Sequence, residues 1–159
     1  MLPWATKNEP ATFLESLFTA VSASCVTGLV VQNTATYWSF FGQMVILLLI
    51  QIGGFGVITV TMLFTQLARK TISLKQRSIL QDALTAPQAD DIVRLTGFIV
   101  KTTFLLELFG TILLAPVFCK EFGLLHGLWY ALFHSVSAFC NAGFDLMGIY
   151  EPYASLTMF

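Results

Sequence analysis

The sequence predicts an all-α membrane protein built from pore-loop repeats, in which short re-entrant half-helices alternate with long spanning helices. Three observations carry that fold class. The chain is 56% hydrophobic and only 11% charged, where a soluble domain has about a quarter of its residues charged. No Asp, Glu, Lys or Arg occurs from Ser16 to Ala68, and such a stretch cannot form a water-facing surface. One segment also occurs twice: residues 17–28 read LFTAVSASCVTG and residues 132–143 read LFHSVSAFCNAG, an offset of 115 residues with 7 of 12 positions identical. Each copy is too short to span a bilayer and ends in Cys-x-x-Gly, which suits a half-helix that enters a membrane and then unwinds. Each copy lies beside a long apolar run, and this order points to an ion pore made by repetition.

The elements follow in order. Residues 11–24 form a short helix that Thr12 caps, with Glu15 as its capping-box partner. Cys25 to Val31 is the unwound return, and Tyr37 and Trp38 are interfacial aromatics that anchor a helix end. The first spanning helix runs from Trp38 to Leu67. Its thirty residues make it about 45 Å long against a hydrocarbon core of ~30 Å, so a tilt or kink is expected. The run QIGGFG at 51–56 offers either close packing or a bend through Gly53, Gly54 and Gly56. Residues 68–94 then hold five of the eight basic residues (Arg69, Lys70, Lys75, Arg77 and Arg94), which places this loop in the cytoplasm by the positive-inside rule. Its segment SLKQRSILQDAL reads as a short surface helix that Pro87 ends.

The second spanning helix runs outward from Ile92 to Phe118 and is closed by Pro116. Lys101 snorkels near its cytoplasmic end, while Glu107 lies deep. An intramembrane carboxylate is a functional-site candidate by default. Here the expected role is structural, a hydrogen bond to a neighbouring helix or to the back of a pore loop. Residues 126–138 form the second short helix and Phe139 to Asp145 its return. With P a pore helix plus return loop and M a spanning helix, the order is P-M2-loop-M1-P, a window from a repeating M1-P-M2 array. Residues 1–67 belong to a first repeat, 68–91 are a cytoplasmic linker, and 92–159 belong to a second. Both return loops then enter from the outer face.

A dehydrated cation needs oxygens that replace its water shell, and backbone carbonyls supply them where the chain is extended and side chains stand aside. Glycine at the narrowest point reaches backbone conformations that other residues avoid. A pore helix also directs the negative end of its dipole toward the cation. The candidate ion-binding residues are therefore Cys25, Val26, Thr27 and Gly28 in the first loop and Cys140, Asn141, Ala142 and Gly143 in the second. Val26-Thr27-Gly28 is similar to the core of a potassium-channel filter.

Other classes fit less well. A net charge of −1 gives no reason to expect nucleic acid as a partner. Three cysteines without a C-x-x-C pair support metal ligation poorly, and Cys25 and Cys140 read as small polarizable residues packed at turns. An intramembrane enzyme using His134, Ser135 and Cys140 would lack its base in the first repeat, where Thr19 holds the matching position. His134 is expected instead to be a satisfied polar contact behind the loop. A non-transporting scaffold leaves two glycine-ended segments unexplained. The chain is not expected to be an enzyme or to need a cofactor beyond potassium as the transported ion.

The segments SASCVTGLVV (22–31), GQMVILLLIQIGGFGVIT (42–59) and LFHSVSAFCNAGFD (132–145) resemble the Trk/Ktr/HKT superfamily of potassium transporters, in particular the bacterial Ktr-type and Trk-type membrane subunits. The resemblance covers essentially the whole chain. It implies four M1-P-M2 repeats around a pseudo-fourfold pore, with one key filter glycine each, here Gly28 and Gly143; glycine rather than serine at 28 is similar to the potassium-preferring version. It further implies a multi-pass protein of the cell membrane, in contact with lipid, that forms a homodimer of full-length subunits on a cytoplasmic nucleotide-binding regulatory subunit. Two of the four filters, the first M1 and the gating loop of the third repeat are not in this sequence, so it is expected to be a fragment of a longer protein.

Overall fold

The computed structural model describes residues 4–7, 10–67 and 89–148. Among these the regular structure is helical: α1 Phe13–Ser24, α2 Phe40–Leu67, α3 Ala89–Phe122 and α4 Leu124–Phe139. An isolated antiparallel bridge pairs Thr6 with Trp38. Most of the linker 68–91, including its expected surface helix and Pro87, lies outside the described residues, as does the tail from 149 onward.

The chain forms two compact units, Met1–Gly54 with Glu107–Phe159, and Phe55–Leu106. In the first, α1 begins at Phe13, and the expected capping box is present. The Glu15 backbone N–H donates to Thr12 Oγ1 at 3.3 Å, and the Thr12 N–H donates to Glu15 Oε2 at 2.9 Å. These bonds use donors that the helix start leaves without partners. The start of α2 is fixed similarly by Ser39, whose Oγ accepts the Gly42 N–H at 3.2 Å. The extended lead-in is tied to that corner by Lys7 N–H to Tyr37 O and Ser39 N–H to Ala5 O. Phe133, Phe144, Ile50, Leu146 and Met147 are the largest fully buried side chains, so the core is assembled around α4 and its return, with α2 against them.

Helix α3 departs from the expected boundary. Pro116 does not close it, and the helix continues to Phe122 with the proline inside. Proline removes one backbone donor and crowds the preceding turn, but helices of apolar proteins absorb such losses locally. The stop lies instead at Gly123, whose φ of 76° is left-handed and open to glycine at no steric cost. The same residue starts α4 two positions earlier than the expected His126. Gly127 then lies so close to the backbone of Phe118 and Cys119 that a Cβ there would collide with it, making a tight helical hairpin. The stretch Arg94–Phe122 of α3 is long and apolar enough to cross a membrane, about 44 Å at 1.5 Å per residue.

The second unit holds the later part of α2 and the first part of α3. The kink expected in α2 is present as a break at Gly56, with φ 74° and ψ 155°. Phe55 and Phe104 meet edge to face with centroids 5.8 Å apart. Leu95, Phe98, Phe104 and Leu105 of α3 are exposed, the surface an apolar solvent would cover.

Candidate ion-binding loops

The two return loops have one backbone design. After α1, Cys25 N–H donates to Val21 O at 2.8 Å, Val26 N–H to Ala23 O at 3.2 Å and Thr27 N–H to Ser22 O at 3.0 Å. After α4, Cys140 N–H donates to Val136 O at 2.9 Å, Asn141 N–H to Ala138 O at 3.0 Å and Ala142 N–H to Ser137 O at 2.7 Å. Donors and acceptors in the second set are those of the first displaced by the sequence repeat. A helix that tightens and then turns away spends its last carbonyls in this way.

The dihedral angles repeat as well. Val26 and Asn141 both have φ 57°, and Gly28 and Gly143 both have φ 70°. A β-branched residue at positive φ is a real outlier, and Val26 is held there by the hydrogen bonds on either side. Past each glycine, a serine of the preceding helix secures the strand. Ser22 Oγ donates to Leu29 O at 2.7 Å, and Ser137 Oγ donates to Phe144 O at 2.6 Å. The two strands meet at their glycines: a Cβ on Gly28 would stand 2.6 Å from Ala142 O and 3.1 Å from Gly143 Cα. Of the candidate residues, then, Gly28 is brought against Ala142 and Gly143.

The sequence points to the glycines but not to the serines that hold the strands behind them. Their signal is the conserved spacing within the chain, since Ser22 and Ser137 occupy the same position in both copies. A second unforeseen link is Asn33, whose Nδ2 donates to Gly148 O at 2.8 Å. It joins the connections beyond the two loops.

Glu107 finds the kind of partner expected. Its Oε1 accepts Gln51 Nε2 of α2 at 2.8 Å, and its backbone carbonyl accepts Ser135 Oγ of α4 at 2.7 Å and Thr111 Oγ1 at 2.8 Å. The side chain is 3% exposed. His134 is likewise occupied. Leu146 N–H donates to its Nε2 at 3.3 Å, which leaves Nδ1 to carry the proton toward Tyr130 O at 2.7 Å. Its ring stacks on Phe118 with centroids 5.0 Å apart. With both nitrogens held by backbone, His134 has no free lone pair to activate Ser135 or Cys140. All three cysteines are free, and no cluster that could hold a metal ion occurs among the described residues.

At the start of α1, Gln32 Nε2 donates to Glu15 Oε1 at 2.8 Å. This bond, followed by those from the Thr12 backbone and hydroxyl, holds the Glu15 carboxyl below the usual carboxylate range. The charged form is the one that accepts these donors.

Comparison with known proteins gives the family of the chain. Residues 2–154 match the TrkH family, described as cation transport protein. The chain is 43% identical over 148 residues to the potassium/sodium uptake protein NtpJ of Enterococcus hirae, covering 92% of this chain and 33% of that protein. It is 40% identical over 146 residues to the Ktr system potassium uptake protein B of Bacillus subtilis, with the same two coverages. Against the protein of the same name from Vibrio alginolyticus it is 35% identical over 150 residues, 91% of this chain and 33% of the relative. The chain thus spans about a third of the length of the curated relatives it matches. These relatives are transporters rather than enzymes, and their family places the protein in a membrane. The chain belongs to the TrkH family of cation transport proteins.

Proposed function

We propose that this chain supplies two of the carbonyl-lined strands through which potassium crosses the cell membrane, as part of a longer, multi-pass subunit. The observation that carries the reading is the repeated loop: the same φ values and hydrogen bonds at Val26–Gly28 and Asn141–Gly143, meeting glycine to glycine. Alternating left-handed residues turn successive carbonyls toward one side of a strand, and a file of such oxygens replaces the water around a monovalent cation. The carbonyls of Cys25, Val26, Thr27 and Gly28 and of Cys140, Asn141, Ala142 and Gly143 are assigned this role. Glycine at 28 and 143 keeps Cβ atoms out of the place where the strands approach. In this reading α1 and α4 are re-entrant half-helices whose carbonyl ends face the ion, and α2 and α3 span the bilayer on either side of a cytoplasmic linker at 68–91.

The complete protein is proposed to carry the remaining filter strands, to form a homodimer and to sit on a cytoplasmic nucleotide-binding regulatory subunit. Three of the relatives bear names that set them within a Ktr system, which supports a partner of this kind. The test is uptake by a potassium-uptake-deficient strain that expresses the full-length subunit. Growth at limiting potassium, with potassium accumulating ahead of sodium, is the expected result. Absence of potassium flux from purified full-length protein in liposomes would sink the reading.

A further inference from the structure

Helix α2 touches both return loops through consecutive glycines. A Cβ on Gly53 would collide with Ser24 O at the end of α1 and lie 3.0 Å from Val26 Cγ2. A Cβ on Gly54 would collide with Cys140 Sγ and lie 3.0 Å from Cys140 Cβ. Cys140 is the first residue of the second candidate strand and precedes Asn141, Ala142 and Gly143. Helix α2 is not free to shift away from it. One turn earlier Gln51 is bonded to Glu107 Oε1, and the Glu107 carbonyl is bonded to Ser135 of α4. The helix that bears Gly54 and the helix that ends in Cys140 are therefore clamped to the same residue of α3, and the space between them is fixed.

We infer that Gly54 is a positioning residue for ion selection: the bare Cα of Gly54 against the Cys140 thiol sets where the second strand stands relative to Gly28. The inference rests on the proposed filter. Carbon and sulfur need about 3.5–4 Å between centres, so a methyl group at 54 must displace Cys140 by roughly 1 Å. The clamp directs that displacement into the strand, and Gly143 moves against Gly28. Removing Sγ takes away the atom that the methyl group meets first.

The experiment is a double-mutant cycle in the full-length subunit, reading potassium and sodium uptake in a potassium-uptake-deficient strain alongside the amount of protein in the membrane. Gly54→Ala is expected to lower the potassium-over-sodium ratio about tenfold, a change equivalent to ~1.4 kcal/mol. The same substitution made in the Cys140→Ala background is expected to change that background's ratio less than about twofold, the coupling that contacting residues show. Equal effects in the two backgrounds, or none in either, would overturn the inference while the parent protein's selective uptake leaves the proposed function standing. A parent without potassium uptake overturns both. If Gly54→Ala alone does not reach the membrane, the double variant decides. It must be inserted and must keep the ion preference of Cys140→Ala, and failure on either count refutes the contact.

Discussion

The loop after α1 and the loop after α4 share a backbone and the serine that secures it, but not their surroundings. In the first, Thr27 adds a hydroxyl contact to Ser22 Oγ at 2.9 Å, and the strand beyond is exposed at Leu29, Val30 and Val31. In the second, the matching Ala142 is fully buried beneath Gly28, and the strand beyond enters the core through Phe144 and Leu146. There His134 takes the Leu146 N–H, where the first loop has Thr19. Behind α4, Ser135 anchors to Glu107, where α1 has Ala20 and no hydroxyl. Identical residues supply the serines behind the strands and the glycines at φ 70°, whereas the residue at φ 57° is Val26 in one copy and Asn141 in the other. The positions that differ fit each loop to its own surroundings.

That division can be broken most severely at the glycines. Gly28→Ser forces a side chain into the left-handed region, at about 1–2 kcal/mol, and drives its Cβ toward Ala142 O at 2.6 Å. Gly143→Ser suffers the same backbone strain, but its Cβ meets only Gly28 Cα, at 3.4 Å. Both are expected to weaken discrimination against sodium, Gly28→Ser by about tenfold or more and Gly143→Ser by less. Paired potassium and sodium uptake in the deficient strain reads the difference. Unaltered ion preference in both variants would remove the glycines from any selectivity filter.

A smaller contrast separates the two serines. Ser137→Ala leaves the carbonyl of buried Phe144 without its donor, a loss of about 1–3 kcal/mol. Ser22→Ala frees the carbonyl of Leu29, which is 61% exposed, so solvent replaces the lost bond. Thermal unfolding of the full-length protein in detergent should therefore show the larger drop for Ser137→Ala, and equal drops would mean that the loops are held alike. Glu107 holds α4, which carries the second loop, and also Gln51 of α2. Glu107→Gln keeps an acceptor for Gln51 Nε2 and should leave ion preference unchanged. Glu107→Leu loses it and should mainly reduce folded yield, read by size-exclusion chromatography. A shifted potassium-to-sodium ratio in the Gln variant would give Glu107 a part in selection.

The smallest effect is expected at Glu15, whose counterpart in the second copy is Tyr130, so only the first loop carries this charge. The carboxyl is held below its ordinary value of 4.5. A lowered value in the folded state stabilises at pH above the ordinary value, and the contribution is lost as pH falls through the folded one. Glu15→Gln should thus melt slightly lower than the parent at neutral pH, with the gap closing below about pH 4. A gap that persists at low pH would point to packing rather than charge.

Much of this was legible in the chain wherever the cause is local. Thr12 and Glu15 announce their capping box because both partners lie within one turn. The repeat announces both loops because its identical Ser, Cys and Gly residues flank the backbone turn. Glu107 could be assigned a helix partner because a lone carboxylate in an apolar run must find one, although Gln51 itself could not be named. Pro116 misled because the cost of a proline depends on what surrounds its turn, while Gly123, the actual stop, looks like any glycine in a polar corner. The contact of Gly54 with Cys140 joins residues 86 apart, and no spacing rule pairs them.

Asn33 and Gly148 set a schedule for biosynthesis. Their hydrogen bond closes a span of 115 residues, and bringing such ends together costs on the order of 4 kcal/mol in chain entropy. A ribosome adds ~5–20 residues per second, so Asn33 must wait roughly ten seconds for its acceptor to be made. Over that interval the first loop is without Ala142 and Gly143 against Gly28. Slowing translation between the two copies would lengthen the wait, and with it the time the first loop spends without its partner strand.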